Sequence, residues 1–331
     1  MGRTLFAIAI PCSALALGSL HTWVLCAVTT LLTAGAATLW FRGSPSNPRL
    51  PATILLLTCL GLTAFTALQA VPLPAALVHT LSPATADVWA GALGPLHEGG
   101  PGTIALSLDP TATRVQVLRG VAYLATFLLT LRIAERRGGT RFVIAVIVLT
   151  SVVLGISAVL HPLFGAQRVF GLYKPIHEPL ERHLAPLLNA NHLAGYINIG
   201  FCLALGASLD RRTERFRPIT ISLSLLLMAI QLWVGSRGGT VAMAFAMVTI
   251  FALARVARRF SPGSPVALLF PALAIIGGVA MMVLGASSDA LQDLNSLDTS
   301  KVRVALAGFP LALNHPFFGI GRGTYEVAFP S

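Results

Sequence analysis

The sequence predicts an all-α polytopic membrane protein with about nine transmembrane helices. Of its 331 residues, 55% are hydrophobic and only 11% are charged, whereas a soluble domain carries about 25% charged residues. The apolar residues also collect in runs of roughly 20, the length that crosses the ~30 Å hydrocarbon core of a bilayer. Composition and run length together exclude a soluble globular domain.

The apolar runs define the spans in chain order. The first run is interpreted as a retained span and not as a signal peptide, because a second run follows at once and no small-x-small cleavage site separates them. Pro11 and several glycines fall inside runs, which membrane helices tolerate. The predicted spans are 4–19, 22–41, 51–70, 114–132, 142–161, 190–209, 219–235, 239–257 and 265–286.

The charges between the spans predict the orientation. If the N-terminus is cytoplasmic, the short inner segments hold 14 of the 23 basic residues and only three acids, Glu135, Asp210 and Glu214. The outer side then holds equal numbers of basic and acidic residues, as the positive-inside rule requires. The net charge of +11 could suggest that the protein binds nucleic acid. The placement of the basic residues between apolar spans argues against that interpretation. The inner basic residues are Arg3, Arg42, Arg49, Arg132, Arg136, Arg137, Arg141, Arg211, Arg212, Arg215, Arg217, Arg255, Arg258 and Arg259.

The outer side is the predicted location of a functional site. All eight histidines fall there or at its boundary, and its segments 71–113, 162–189 and 287–331 are the long ones. Long loops carry binding and catalytic residues more often than short ones do. We expect two regions, a transmembrane bundle at 1–286 and the start of a large outer loop at 287–331. The four cysteines lie in apolar runs without CxxC or metal spacing, so they do not indicate a redox compartment.

Two outer motifs flank spans. Gly235-Ser236-Arg237-Gly238-Gly239 forms the tight turn between spans seven and eight. The guanidinium of its arginine is a planar hydrogen-bond donor that suits phosphate. A snorkelling arginine at an ordinary turn explains the position equally well. The stretch 188–196, LNANHLAGY, opens span six. Asn191 is the predicted N-cap and His192 lies in the first turn; simple capping or a polar cavity mouth both fit.

Two further motifs lie in outer segments. In the C-terminal one, 302–313 predicts a short apolar helix after Lys301, and His315 is followed by a Gly-x-Gly-x-Gly stretch that contains Arg322. No βαβ unit surrounds these glycines, which favours a sharp turn or an anion-binding nest over a dinucleotide loop. The other stretch, Arg168 to His183, is rich in charge but lacks a His-Glu-x-x-His zinc motif, and is interpreted as a solvated loop.

In order and placement, these motifs resemble the bacterial O-antigen ligase and polysaccharide polymerase family. LQAVPLPAALVHTLSP and SLDPTAT resemble its first outer loop, NANHLAGY a helix start, GSRGG a Ser-Arg-Gly turn, and KVRVALAGFPLALNHPFFGIGRGTY the start of its large periplasmic loop. The resemblance covers most of the chain from about residue 65. It implies an all-α bundle of roughly a dozen spans in the bacterial inner membrane, active at the periplasmic face.

The resemblance also implies a reaction and its residues. Family members transfer a glycan from an undecaprenyl-pyrophosphate carrier to lipid A-core or to a growing polysaccharide, without a metal or cofactor. Their diphosphate-binding arginines correspond to Arg237 and Arg303, and the expected site lining is Asn191, His192, His315 and Arg322. The family's proposed base, in a His-Asn motif, would lie beyond Ser331, so the catalytic residue is unassigned and the chain is expected to be a fragment. Ala305 and Leu306 stand where the family often has a tryptophan.

Several functions fit this sequence. The resemblance favours an inner-membrane glycosyltransferase acting on lipid-linked glycans, and ligase and polymerase both remain open. A transporter or flippase for such glycans would place ionisable residues near the bilayer midplane, where the predicted spans hold almost none. An inactive structural subunit is the third alternative.

Overall fold

A computed structural model describes residues 1–41, 50–93, 101–175, 184–256 and 300–329. Several predictions lie outside these ranges. They are the ninth span at 265–286, the inner segment 42–49, the outer stretch 287–299, and the 176–183 part of the charged loop.

The described residues are mostly helical. The helices are α1 (Gly2–Leu15), α2 (Thr22–Phe41), α3 (Leu50–Ala70), α4 (Ala75–Leu81), α5 (Pro83–Leu93), α6 (Pro110–Ala134), α7 (Gly139–Leu163), α8 (Ala190–Leu209), α9 (Arg217–Val234), α10 (Arg237–Val256), α11 (Ser300–Asn314) and α12 (Tyr325–Ala328). Short 3₁₀ turns lie at Leu17–Ser19 and Arg211–Phe216, and two strands, β1 (Pro72–Pro74) and β2 (Thr103–Ala105), complete the list.

Seven helices within the described residues are long and apolar enough to cross a membrane: α2, α3, α6, α7, α8, α9 and α10. They correspond to the second to eighth predicted spans. Large apolar side chains lie exposed along them, and only 17% of the residues in the apolar windows of α3 and α10 are buried. Such surfaces suit a lipid environment, since soluble proteins rarely expose large contiguous apolar patches. The fold is compatible with an all-α polytopic membrane protein.

The first predicted span, 4–19, differs from the structure. Regular α-helix ends at Leu15, and α1 has only 14 residues, about 21 Å at 1.5 Å per residue. The helix stops because Leu17, Gly18 and Ser19 all have positive φ, a conformation that cannot continue a right-handed helix.

The chain forms two compact units. Among the described residues, the first unit holds 3–24, 133–175 and 184–256. Its core forms where α8 packs against α7, α9 and α10. Phe201 and Ile197 of α8 and Leu227 of α9 are fully buried there. Glycines allow this close packing, because a Cβ at Gly200 would overlap the Ser151 side chain of α7.

The second unit holds 25–41, 50–93, 101–132 and 300–329 among the described residues. The segment between α3 and α6 contains a small sheet: β1 and β2 pair antiparallel, with Leu73 opposite Ile104. A small core forms beneath them from Val78, Ile104 and Leu106, and Phe318 packs against it. The segment after α11 is therefore part of the folded second unit.

Candidate functional site

The start of α8 is capped by Asn189 and not, as predicted, by Asn191. The Asn189 side-chain oxygen accepts hydrogen bonds from the backbone N–H groups of Asn191 and His192 at 2.9 and 3.3 Å. The helix therefore begins at Ala190, two residues earlier than an Asn191 cap would allow. His192 lies in the first turn as predicted, with its side chain exposed. This shift frees the Asn191 side chain for another partner.

That partner lies in the turn between α9 and α10. Gly235 ends α9 with a φ of 68°, which suits glycine, and α10 begins at Arg237. Ser236 between them is buried, and its hydroxyl donates to Asn191 Oδ1 at 2.8 Å. The two sequence motifs, 45 residues apart, are thus joined directly. The N-termini of α8 and α10 meet at this hydrogen bond, and Arg237 is the first residue of α10.

One face of α8 is shaped to hold the turn. Asn191, Ala194 and Asn198 follow at intervals of three and four residues, which places them on the same side of the helix. Asn198 Nδ2 donates to the Gly239 carbonyl at 2.8 Å, and the Gly239 N–H donates to Ser236 Oγ at 3.1 Å. A Cβ at Gly239 would overlap Ala194. Only glycine at 239 permits this contact. We call residues 235–239 together with Asn191, Ala194 and Asn198 the Ser-Arg-Gly site.

Two buried amides beneath the turn were not predicted. Asn198 and Gln231 are both buried, and Gln231 has no exposed surface. A Cβ at Gly239 would also overlap Gln231 Nε2, so this amide lies directly against the turn. Asn198 could have been found from its spacing of seven residues after Asn191. Gln231, a single polar residue in an apolar run, gave a weaker signal.

The second unit contains the other predicted site residues. The helix expected over 302–313 is confirmed as α11, and Arg303 lies in its first turn. The expected sharp turn is confirmed at 319–323, where Gly319, Gly321 and Gly323 all have positive φ. We call 319–323 the glycine segment. A Cβ at Gly321 would overlap the Ser107 hydroxyl, so the segment depends on glycine there.

The glycine segment is docked by hydrogen bonds at both ends. Gln69 at the end of α3 donates from Nε2 to the Phe318 carbonyl at 2.6 Å and accepts from the Arg322 N–H at 3.3 Å. The Leu108 N–H donates to the Ile320 carbonyl at 2.9 Å, and the Thr113 hydroxyl donates to the Arg322 carbonyl at 3.0 Å. The Arg322 side chain stays exposed above this scaffold.

His315 is a buried packing residue of the second unit. Its Nδ1 lies 3.2 Å from the Thr85 hydroxyl, which is itself bonded to Ser82. Burial lowers the pKa of His315 below its ordinary value, because a buried site disfavours the charged form. His315 links the residues after α11 to α5 through Thr85.

His161 is likewise committed to the fold. Nδ1 bonds the Ser157 carbonyl of the preceding helical turn, and Nε2 accepts from the Phe170 N–H at 2.8 Å. These bonds fold the segment after α7 back onto the helix end. In the described parts of the chain, no three His, Cys, Asp or Glu side chains cluster closely enough to hold a metal ion.

The Ser-Arg-Gly site has the chemistry of an anion site. Helix N-termini carry a partial positive charge that favours anions, and two of them meet here. The protein so described is a helical membrane protein with a polar site where two of its spans begin. No protein-family model, curated protein or solved structure matches the chain.

Proposed function

We propose that the protein is a membrane glycosyltransferase that takes a glycan from an undecaprenyl-pyrophosphate carrier at the outer face of the bacterial inner membrane. The acceptor would be lipid A-core or a growing polysaccharide. The observation that carries this proposal is the Ser236–Asn191 hydrogen bond. It brings the N-termini of α8 and α10 together with Arg237 as the first residue of α10.

A diphosphate is the anion that suits this arrangement. In the transfer, the acceptor hydroxyl attacks the anomeric carbon while the bond from that carbon to the diphosphate oxygen breaks. The electron pair leaves with the diphosphate, and the hydroxyl proton passes to a base. Helix N-termini and guanidinium groups stabilise the negative charge that develops on the leaving group. Arg237 is the proposed diphosphate residue in the first unit, and Arg303 in the second.

An apolar groove on the first unit supports a lipid-linked donor. It lies between α7 and α9 and has a volume of about 290 Å³. Its lining includes Trp233, two residues before Gly235. An apolar groove within the span region can take part of a prenyl chain. Its lining residues are Ile156, Val159, Leu160, Leu226, Ala229, Ile230 and Trp233.

Substitution of the two arginines tests the proposal. In proteoliposomes supplied with a lipid-linked glycan and an acceptor, Arg237→Ala and Arg303→Ala should each lower transfer by about 100-fold or more, the scale of losing one charge-stabilising group. Arg237→Lys should also be impaired, because a point charge does not replace a planar donor. Arg255→Ala is the matched control, since Arg255 is an exposed arginine at the opposite end of α10. Full transfer by Arg237→Ala would contradict the diphosphate assignment.

A transporter or flippase for lipid-linked glycans is the second candidate. It is favoured by the buried amides of Asn198 and Gln231, since polar groups inside a bundle mark transport paths in many carriers. The same proteoliposomes separate the two functions. A flippase moves a labelled lipid-linked glycan between leaflets without an acceptor, whereas a glycosyltransferase forms a new glycosidic bond only when one is present.

A further inference from the structure

Unpaired hydrogen-bonding groups are concentrated beneath the turn of the Ser-Arg-Gly site. In the described part of the chain, five buried side-chain polar atoms lack a hydrogen-bond partner. Three of these five are Asn198 Oδ1, Gln231 Oε1 and Gln231 Nε2. They come from neighbouring helices and lie at one place, so they indicate a local property of this site.

The polar group that these amides face is the turn itself. Asn198 Nδ2 bonds the Gly239 carbonyl, and the Gln231 amide lies against the Gly239 α-carbon. The Ala194 side chain also lies against Gly239. A small rearrangement of the turn would therefore bring the peptide groups of residues 235–239 within hydrogen-bonding distance of the two amides.

Fold stability does not explain a glutamine at position 231. A buried amide without partners destabilises a fold, and an apolar residue of similar size often replaces it without loss. Leucine is close in size to glutamine and would suit the neighbouring hydrophobic core, which is formed by apolar side chains. The amide is therefore better explained by a second arrangement of the turn, in which it does have a partner.

We infer that Gln231 and Asn198 are positioning residues for Arg237, an inference that rests on the proposed function. When the N-terminus of α10 holds the diphosphate of a prenyl-linked donor, the turn adjusts and its peptide groups pair with these amides. The unpaired amides then favour the ligand-bound turn over the empty one, because only the bound arrangement satisfies them. A ligand shifts such an equilibrium through its differential affinity for the two arrangements.

The test compares ligand affinity with protein stability for the full chain in detergent micelles. Undecaprenyl pyrophosphate is the probe, and undecaprenol, which lacks the diphosphate, is its matched control. Gln231→Leu should raise the dissociation constant for undecaprenyl pyrophosphate roughly tenfold, the value of about one hydrogen bond, while the Tm of the empty protein stays equal or rises. Asn198→Leu breaks an existing bond to Gly239, so both affinity and Tm should fall. Ser224→Ala is the control variant, because this buried hydroxyl on α9 bonds only its own helix.

Each outcome decides a different point. If Gln231→Leu binds the diphosphate as tightly as the unaltered chain while Arg237→Ala does not, the positioning role is wrong and the proposed function stands. If the unaltered chain prefers undecaprenyl pyrophosphate no more than undecaprenol, the proposed function fails as well. If Gln231→Leu and the less rigid Gln231→Met both lose stability, the amide supports the resting fold, for example through a buried water, and the inference is overturned.

Discussion

At the scale of single residues, the site depends on short-range chemistry that the sequence shows only in part. Arg237 and Asn191 could be selected because an outer arginine beside glycines and an asparagine near a helix start are recognisable patterns. The hydrogen bond between Ser236 and Asn191 could not be predicted, because it joins positions 45 residues apart. The Asn189 cap was missed because Asn189 and Asn191 are both good N-cap residues, and only the helix boundary separates them.

The Ser236–Asn191 bond yields a prediction that does not depend on the activity. Asn191→Ala should destabilise the first unit by about 1 kcal/mol, the usual worth of a partly buried hydrogen bond. Ser236→Ala should cost more, because its hydroxyl also accepts from the Gly239 N–H. Because both variants remove the Ser236–Asn191 bond, the double variant should cost less than the sum of the two. Reversible unfolding in mixed micelles measures these values. Asn191→Ala combined with Ser224→Ala should be additive, and additivity in both pairs would mean that the bond contributes nothing.

At the scale of helices and strands, the long elements were predictable and the short ones were not. The seven apolar helices correspond to runs of about twenty apolar residues. The length of such a run predicts a spanning helix without any knowledge of tertiary contacts. Strands β1 and β2 have three residues each and depend on pairing with one another. Such short segments show no sequence periodicity from which a strand could be predicted. Residues 300–323 show both cases. Helix α11 was expected from its apolar sequence, whereas the docking of the glycine segment on Gln69 and Thr113 depends on tertiary contacts.

The docking of the residues after α11 should depend on pH through His315. Its pKa in the fold lies below the usual value of 6.5. Between those two values the undocked segment binds more protons than the docked one, so stability rises with pH across that window. Docking is thus complete above about pH 6.5 and weakens as the pH falls. Hydrogen exchange of 315–324, corrected for intrinsic rates, should show reduced protection on acidification.

Substitution shows whether His315 is the group responsible. His315→Gln keeps a hydrogen-bonding side chain without the titration and should abolish the pH dependence. His79→Gln, at an exposed histidine of α4 in the same unit, should leave it unchanged. A pH dependence that persists in His315→Gln would assign the effect to another group.

At the scale of the whole molecule, the charge pattern and the packing agree on which segments share a side. Three segments predicted to be cytoplasmic lie together in the first unit. Arg3 donates to the Arg137 carbonyl at 2.8 Å, and Arg141 donates to the Arg212 carbonyl at 2.9 Å. The Ser236–Asn191 bond joins segments predicted to be on the opposite side. The alternation of spans α7 to α10 is therefore consistent with these contacts. Which side faces the cytoplasm stays a prediction of the positive-inside rule.

Thiol labelling of intact cells decides that orientation. After the four native cysteines are replaced by alanine, a single cysteine is placed at Leu172 or at Arg136, both exposed positions in connecting segments. A membrane-impermeant maleimide applied from outside to cells with a permeable outer membrane should label Leu172→Cys alone. Arg136→Cys should react only after the inner membrane is opened. The reverse pattern would place Arg237 on the cytoplasmic side, where a transferase that receives its donor at the outer face could not work, and the proposed function would fall with the orientation.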